Sequence, residues 1–292
     1  MSRGAPLTNG KNHFPAHHVR VMDCVKGMID LDPESVDVVV TSPPYNIGTD
    51  YSTYMDVLEQ EQYIDWCLKW TRTVRKTLKK QGSFFLNLGS SPTNPTIPHT
   101  LLHKIVNAGE FVLQNTIHWI KAITVLTDTG EELSKGHFKP IPGERFLNDC
   151  HEYVFHLTPT GRTPLNRRAV GVKYKHKSNI SRWEHANGTD LRCRGNTWFI
   201  PYRTITNRDK DRPHPATFPI GLAERCIRLH GVRDDLVVMD PFLGIGNTWV
   251  AAVKCRVAKF IGFDIDSGYV KIARENARES HLVETEADLR CR

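Results

Sequence analysis

The sequence predicts an α/β fold: a mostly parallel sheet with helices on both faces and a basic segment inserted between its two halves. Three observations lead there. From about residue 18 to 125, short runs rich in β-branched residues alternate with segments of helical spacing. Such alternation implies right-handed βαβ units and a parallel sheet. The rhythm resumes over 212–280. Between Arg162 and Arg212 stand 13 Lys and Arg against four acids, a local excess of nine that exceeds the net charge of +7 of all 292 residues.

Residues 1–17 read as a loose N-terminal tail. "HVRVMD" (18–23) and "VDVVV" (36–40) have the β-branched character of strands. The segment 57–80 places Tyr63, Trp66, Cys67, Trp70, Val74 and Leu78 at helical spacing, with Lys and Arg in its last turns, where they suit the helix dipole. A strand over 82–88, a helix over 96–109 and a strand over 111–121 complete the first half. Residues 126–211 break the rhythm: "HEYVFHLT" (151–158) reads as one further strand, followed by turn residues and basic clusters. The second half offers a helix at 220–231, a strand at 236–240, a helix after "GIGN", a strand at 260–266 and a helix at 268–278, leaving 281–292 as a tail.

With 39% hydrophobic and 24% charged residues, the chain has the composition of a soluble globular protein. No run of eighteen apolar residues suggests a membrane span. The N-terminus lacks the apolar core of a secretory signal. Seven scattered cysteines without a C-x-x-C pair suit reduced thiols, hence an intracellular location, the cytoplasm or nucleoid in a bacterium. His137, Cys150, His151 and His156 match no common zinc spacing and are expected to be structural, so no metal is expected.

Two stretches carry chemistry. In "DLVVMDPFLGIGNT" (235–248) a strand ends at Asp240 and passes through Phe242, Gly244 and Gly246 into a helix. Glycines at such a junction let backbone approach a ligand at the carboxyl ends of the strands. A second strand ends in acid at Asp264, placed to hold ribose hydroxyls. Asn247 and Thr248 stand where a dinucleotide fingerprint has its third glycine, which favours a nucleoside cofactor without a pyrophosphate. A turn that only closes a βα connection is the alternative.

In "DVVVTSPPYNIG" (37–48) an apolar strand stops at Ser42-Pro43-Pro44-Tyr45. Proline cannot continue a sheet ladder. A hydroxyl and a freed carbonyl can accept the two hydrogens of an exocyclic amine while the Tyr45 ring stacks on the base bearing it. Orientation alone then aims the nitrogen lone pair at an electrophilic methyl group. A strand terminator with a buried tyrosine is the alternative.

Together, "TSPPYNIG", then the basic segment, then "RPHPATFP" (212–219) and "DPFLGIGNT", resemble the S-adenosylmethionine-dependent DNA amino-methyltransferases in their permuted β class. The resemblance covers 18–125 and 212–280 and implies a Rossmann-like methyltransferase sheet. It implies that Ser42 and Pro43 accept from the target amine, that Pro44 stiffens the tip, and that Tyr45 stacks on a flipped base. It implies that Phe218, Phe242, Gly244 and Gly246 line the cofactor pocket, with Asn247 and Thr248 beside it. Asp264 would hold the ribose, Asp240 would lie near the methionine moiety, and Asp23 would hold the adenine amine, with Met22 in place of the family's usual Gly. Ser42, rather than Asp or Asn, is associated in that family with N4 of cytosine; N6 of adenine is the first alternative. A protein-amide methyltransferase or a non-catalytic DNA-binding homologue stands further off.

The insert interleaves Arg162, Arg167, Arg168, Lys173, Lys175, Lys177, Arg182, Arg192, Arg194 and Arg203 with Tyr174, Trp183, Trp198 and Tyr202. Cations for phosphates and Arg forks for guanine edges are what duplex recognition requires. The expected partners are duplex DNA with a short recognition sequence, a cognate restriction enzyme and a second copy of the chain.

Overall fold

A computed structural model describes residues 17–92, 94–126, 132–136, 144–147, 149–182, 184–186, 188–201 and 216–290. The strands are β1 (His18–Val21), β2 (Val36–Thr41), β3 (Leu78–Leu88), β4 (Val112–Leu126), β5 (Glu132–Gly136), β6 (His151–Thr158), β7 (Thr197–Pro201), β8 (Val237–Asp240) and β9 (Lys259–Asp264). The helices are α1 (Cys24–Ile29), α2 (Gln60–Thr77), α3 (Ile97–Asn107), α4 (Ser178–Arg182), α5 (Ile220–His230), α6 (Asn247–Lys254) and α7 (Ser267–Arg290).

The sheet runs β1-β9-β8-β2-β3-β6-β4-β5, with β7 also paired to β4. β1, β9, β8, β2 and β3 pair in parallel. β6 then runs antiparallel to both β3 and β4. β4 therefore keeps the direction of β3, and β7 is parallel to it, so only β5 and β6 run against the rest. The mostly parallel expectation holds, with β6 wedged between two strands that are consecutive along the first half.

Helices cover both faces. Leu222, Ile227, Ala251 and Ala273, from α5, α6 and α7, pack with Val38 and Val40 of β2 in one core. Val25, Tyr63, Trp70 and Leu101, from α1, α2 and α3, pack with Val39 in the other. Every residue of β2 is buried, which is why its sequence reads as a continuous valine run rather than an alternation.

Three local differences from the sequence reading have physical causes. α1 is a six-residue helix started by Asp23, whose Oδ1 accepts from the Lys26 N–H at 3.0 Å; one turn and a half is too short to show a period. β3 begins at Leu78, directly on the end of α2, because Lys79 is drawn to the buried Asp37 at 2.8 Å. The helix read over 268–278 continues to Arg290, so residues 281–290 are helical rather than a tail. Among the described residues no helix is long and apolar enough to cross a membrane.

Candidate active site

The carboxyl ends of β2, β8 and β9 open into one cavity of about 410 Å3. Its walls include Ser42, Pro43, Pro44 and Tyr45 from the tip of β2, Phe242 and Gly244 after β8, Asp264 at the end of β9, and Phe218 before α5. The two motifs, nearly two hundred residues apart in sequence, thus face the same space because β2 and β8 are neighbours in the sheet.

On the catalytic side, Ser42 Oγ lies 2.7 Å from Tyr45 Oη, and Tyr45 Oη donates to Glu152 Oε2 at 3.0 Å. Asn87 Nδ2 donates to Tyr45 Oη and to Glu152 Oε2, both at 2.7 Å. Lys121 Nζ pairs with Glu152 Oε1 at 2.9 Å. An ionised carboxylate only accepts. The single Tyr45 proton goes to Glu152, so Ser42 donates to Tyr45 and turns its own lone pairs outward, the state needed to accept from an amine. Burial first, and then the neighbouring Glu152 charge, push the Tyr45 phenol well above its usual pKa, so it stays a neutral donor. Tyr63 Oη donates to the Pro44 carbonyl at 2.8 Å and fixes the proline pair. A Cβ on Gly89 would come within 2.8 Å of Tyr45 Cε2, so only glycine lets β3 pass this close to the ring.

On the other side, Asp264 Oδ2 accepts from the Gly244 N–H at 2.7 Å and Oδ1 from the Asp266 N–H at 2.9 Å. Burial raises the Asp264 carboxyl above its usual pKa, and these N–H groups oppose the rise. Each carboxylate oxygen keeps a further lone pair that can accept from a hydroxyl. Gly244, at φ 51°, makes the turn that delivers its N–H. Phe242 packs edge-on to Trp66 at 5.4 Å and Trp70 at 5.1 Å, which sets a flat apolar wall. One carboxylate for sugar hydroxyls beside an apolar wall for a planar base is a set that fits S-adenosylmethionine, with Asp264 and Phe242 as its holders. Asp23 also lines this end, with Oδ1 spent on capping α1.

Asp240, Asn247 and Thr248, also predicted for the cofactor end, line the cavity as well. The hydroxyl of Thr248, a fully buried residue, donates to Asp240 Oδ2 at 2.6 Å. Asp240 Oδ1 accepts from Thr41 Oγ1 at 2.5 Å and from the Phe242 N–H at 3.0 Å. Burial raises its carboxyl to about 6. Asp240 therefore ties the site together from behind. Asn247 Nδ2 donates to the Phe218 carbonyl at 2.6 Å and so positions that ring. Gly246 is required by α7: at φ 84°, a Cβ there would meet Ala273 Cβ at 2.7 Å.

A loop after Tyr45 covers the cofactor end. Asp56, buried, accepts from the N–H groups of Asn46, Ile47 and Thr49. The Ser52 hydroxyl donates to Asp266, which also accepts from the Tyr269 N–H in the first turn of α7. The polar stretch 48–56 thus closes on itself and on the end of β9.

Among the described residues, none of the basic segment's predicted DNA contacts lines the cavity. Because β6 runs against the parallel strands, it delivers the chain to their far end. There Thr163 Oγ1 donates to the Gly82 carbonyl and Asn166 N–H to Leu229 at the end of α5. Arg162 and Arg167 flank these contacts, at the end of the sheet away from the catalytic tip. Arg168 takes part in the following turn, Arg168 O accepting from the Gly171 N–H. Lys173, Lys175, Lys177, Arg182 and Arg192 stand exposed on an excursion closed by the Val172–Arg192 bridge. Lys177 there pairs with Asp190, and Arg194 Nε donates to the Val170 carbonyl at 2.8 Å. Arg203, Trp183, Tyr202 and His137 lie outside the described residues.

Asn87, Lys121 and Glu152 escaped the sequence reading. Each is a lone polar residue in a strand, and the only signal was that Glu152 and Lys121 interrupt otherwise strand-like runs. Trp66, read as helix core, is a cavity wall.

A family model described as DNA methylase, for the N6 and N4 amino-methyltransferases, matches residues 36–275. The chain belongs to this family. The methylase is 30% identical over 284 residues to the type II methyltransferase M.ScaI of Streptomyces caespitosus, an alignment covering 90% of this chain and 83% of that one. It is 26% identical to the DNA adenine methyltransferase YhdJ of Escherichia coli, covering 86% and 79% of the two chains. Among solved structures, the cytosine-N4-specific PvuII DNA methyltransferase superposes with a TM-score of 0.64 at 20% identity, over 91% of this chain and 89% of that one. A Thermus thermophilus putative DNA modification methylase complexed with S-adenosylmethionine superposes at 0.60 and 22% identity, over 91% and 94%. The methylase shares their fold. It is an S-adenosylmethionine-dependent DNA amino-methyltransferase, and the resemblance drawn from "TSPPY" and "DPFLGIGNT" stands.

Proposed function

We propose that the protein methylates N4 of a cytosine flipped out of duplex DNA, within a short recognition sequence, by direct transfer from S-adenosylmethionine. The observation that carries this reading is the Ser42 hydroxyl, held by Tyr45 as an acceptor beside the Pro43 carbonyl and facing the cavity. Two acceptors at the tip of β2 take both hydrogens of one exocyclic amine and leave its lone pair for the methyl carbon, a matter of orientation worth many orders of magnitude in rate. Ser42, rather than Asp or Asn, favours N4 of cytosine. The amine sits inside the duplex stack, and reaching Tyr45 requires flipping.

N6 of adenine is the second reading, favoured by the similarity to a DNA adenine methyltransferase over most of the chain. M.ScaI and other relatives are named type II methyltransferases, which supports pairing with a restriction enzyme of the same sequence specificity. Lys173, Lys175 and Arg182 are proposed phosphate contacts.

The test is transfer of labelled methyl to mixed-sequence duplex DNA, with product nucleosides separated by mass. N4-methylcytosine is the expected product, and Ser42→Ala should remove most of it. N6-methyladenine would overturn the base assignment while keeping the chemistry.

A further inference from the structure

We propose that Ser42, Tyr45 and Glu152 form a proton path that ends on the Glu152 carboxylate and deprotonates the newly methylated amine. This inference rests on the amino-methyltransferase reading above and adds to it the fate of the proton.

The reaction has to dispose of one proton. The amine lone pair forms the new N–C bond, the C–S bond breaks with its electron pair left on sulfur, and the nitrogen becomes cationic with one hydrogen too many. The Pro43 carbonyl can hold that hydrogen but has nowhere to send it. Ser42 does. Its Oγ is 2.7 Å from Tyr45 Oη, which is 3.0 Å from Glu152 Oε2. The nitrogen gives its proton to Ser42 Oγ, Ser42 gives its own to Tyr45 Oη, and Tyr45 gives its own to Glu152. Each hydroxyl ends with one proton, the amine is neutral, and Glu152 is a carboxylic acid that releases its proton to water when the product leaves.

The surroundings suit that role. Lys121 Nζ, 2.9 Å from Glu152 Oε1, holds the carboxylate in place through its other oxygen. Asn87 Nδ2 donates to both Tyr45 Oη and Glu152 Oε2, which aligns the path. Glu152 and Lys121 both line the cavity, so the end of the path reaches solvent. Asp240, the other nearby carboxylate, is occupied by Thr41, Thr248 and the Phe242 N–H and belongs to the cofactor side.

The experiment is the single-turnover methyl-transfer rate on duplex DNA across pH 5 to 9 for wild type, Glu152→Gln, Glu152→Asp, Tyr45→Phe and the Glu152→Gln/Tyr45→Phe double variant. Equilibrium affinities for duplex and S-adenosylmethionine are measured alongside. Positioned acid–base groups contribute about 10²–10⁴-fold. Glu152→Gln and Tyr45→Phe should each slow transfer at least ~100-fold with affinities within about threefold of wild type. The double variant should be no slower than the slower single one, because the steps lie in series. Wild type should lose rate at acid pH, Glu152→Gln should lose that limb, and Glu152→Asp should restore part of both. A Glu152→Gln enzyme that binds normally and keeps the wild-type rate and acid limb overturns the path but leaves the methyltransferase reading intact. A wild-type enzyme that transfers no methyl to DNA overturns both.

Discussion

Thr41 Oγ1 donates to Asp240 Oδ1 at 2.5 Å, a bond between buried residues 199 positions apart. It joins the residue before the catalytic tip to the residue before the cofactor loop, so the two substrates are held in one frame. Thr41→Val keeps the shape and removes the donor. Leaving a buried acceptor short of a partner costs about 1–3 kcal/mol. Urea denaturation should show that loss for Thr41→Val, with Thr41→Ser within about 1 kcal/mol of wild type. Equal stability in all three would mean that the bond carries no weight.

Stability should fall on acidification below neutral pH. The His156 ring is stacked on Phe85 at 4.5 Å, and Ser83 Oγ lies 3.0 Å from His156 Nε2 and 2.9 Å from His230 Nδ1. Burial pushes His156 down to about 3 and His230 to about 4, against a usual 6.5. The unfolded chain therefore binds protons from 6.5 downward that the folded chain refuses. The stability these groups confer above 6.5 is lost toward pH 4, at about 1.4 kcal/mol per pH unit for each histidine. Asp240, raised to about 6, acts oppositely: its contribution is present below 3.8 and lost as pH rises through about 6. Two groups outweigh one, so the urea midpoint should be lower at pH 5 than at pH 7. His156→Gln should flatten the difference; a midpoint that rises on acidification would contradict the assignment.

The loop that closes over the cofactor end should tune affinity rather than folding. Ser52 reaches Asp266, and the loop's internal bonds converge separately on Asp56. Ser52→Ala removes one outward tie and leaves the Thr53 side chain bonded to Asp266. A hydrogen bond to a charged group contributes about 1.5–3 kcal/mol, and the loop's exposure brings the expected effect to about a tenfold weaker affinity for S-adenosylmethionine. Calorimetric titration measures it. Unchanged affinity, or a melting temperature several degrees lower, would show that the tie serves the fold instead.

The parts legible in the sequence are those with local pattern. The valine run of β2, the glycine turn after Asp240 and the acid at the end of β9 each announce themselves within a few residues, and they define both walls of the cavity. Glu152, Lys121 and Asn87 do not, because their roles arise only when β6 is wedged between β3 and β4. The pattern of "HEYVFHLT" gives a strand but not its direction. That direction decides where the basic segment begins, so charge counting found the segment but not its place on the sheet.

Placement within the basic segment makes a last prediction. Arg162 follows the far end of β6, beside the Thr163–Gly82 contact, whereas Lys173, Lys175 and Arg182 stand exposed on the separate excursion beyond Val172. Neutralising a phosphate contact weakens binding across all sequences and lowers the salt slope by about one per contact. Lys173→Ala, Lys175→Ala and Arg182→Ala should each weaken duplex binding about three- to tenfold and reduce the slope of log K against log salt. Arg162→Ala should leave both unchanged. Binding titrations at several salt concentrations distinguish the groups. A loss at Arg162 equal to that at Lys173 would mean that the duplex wraps to the far end of the sheet. No loss at any of the four would move the phosphate contacts off the described part of the segment.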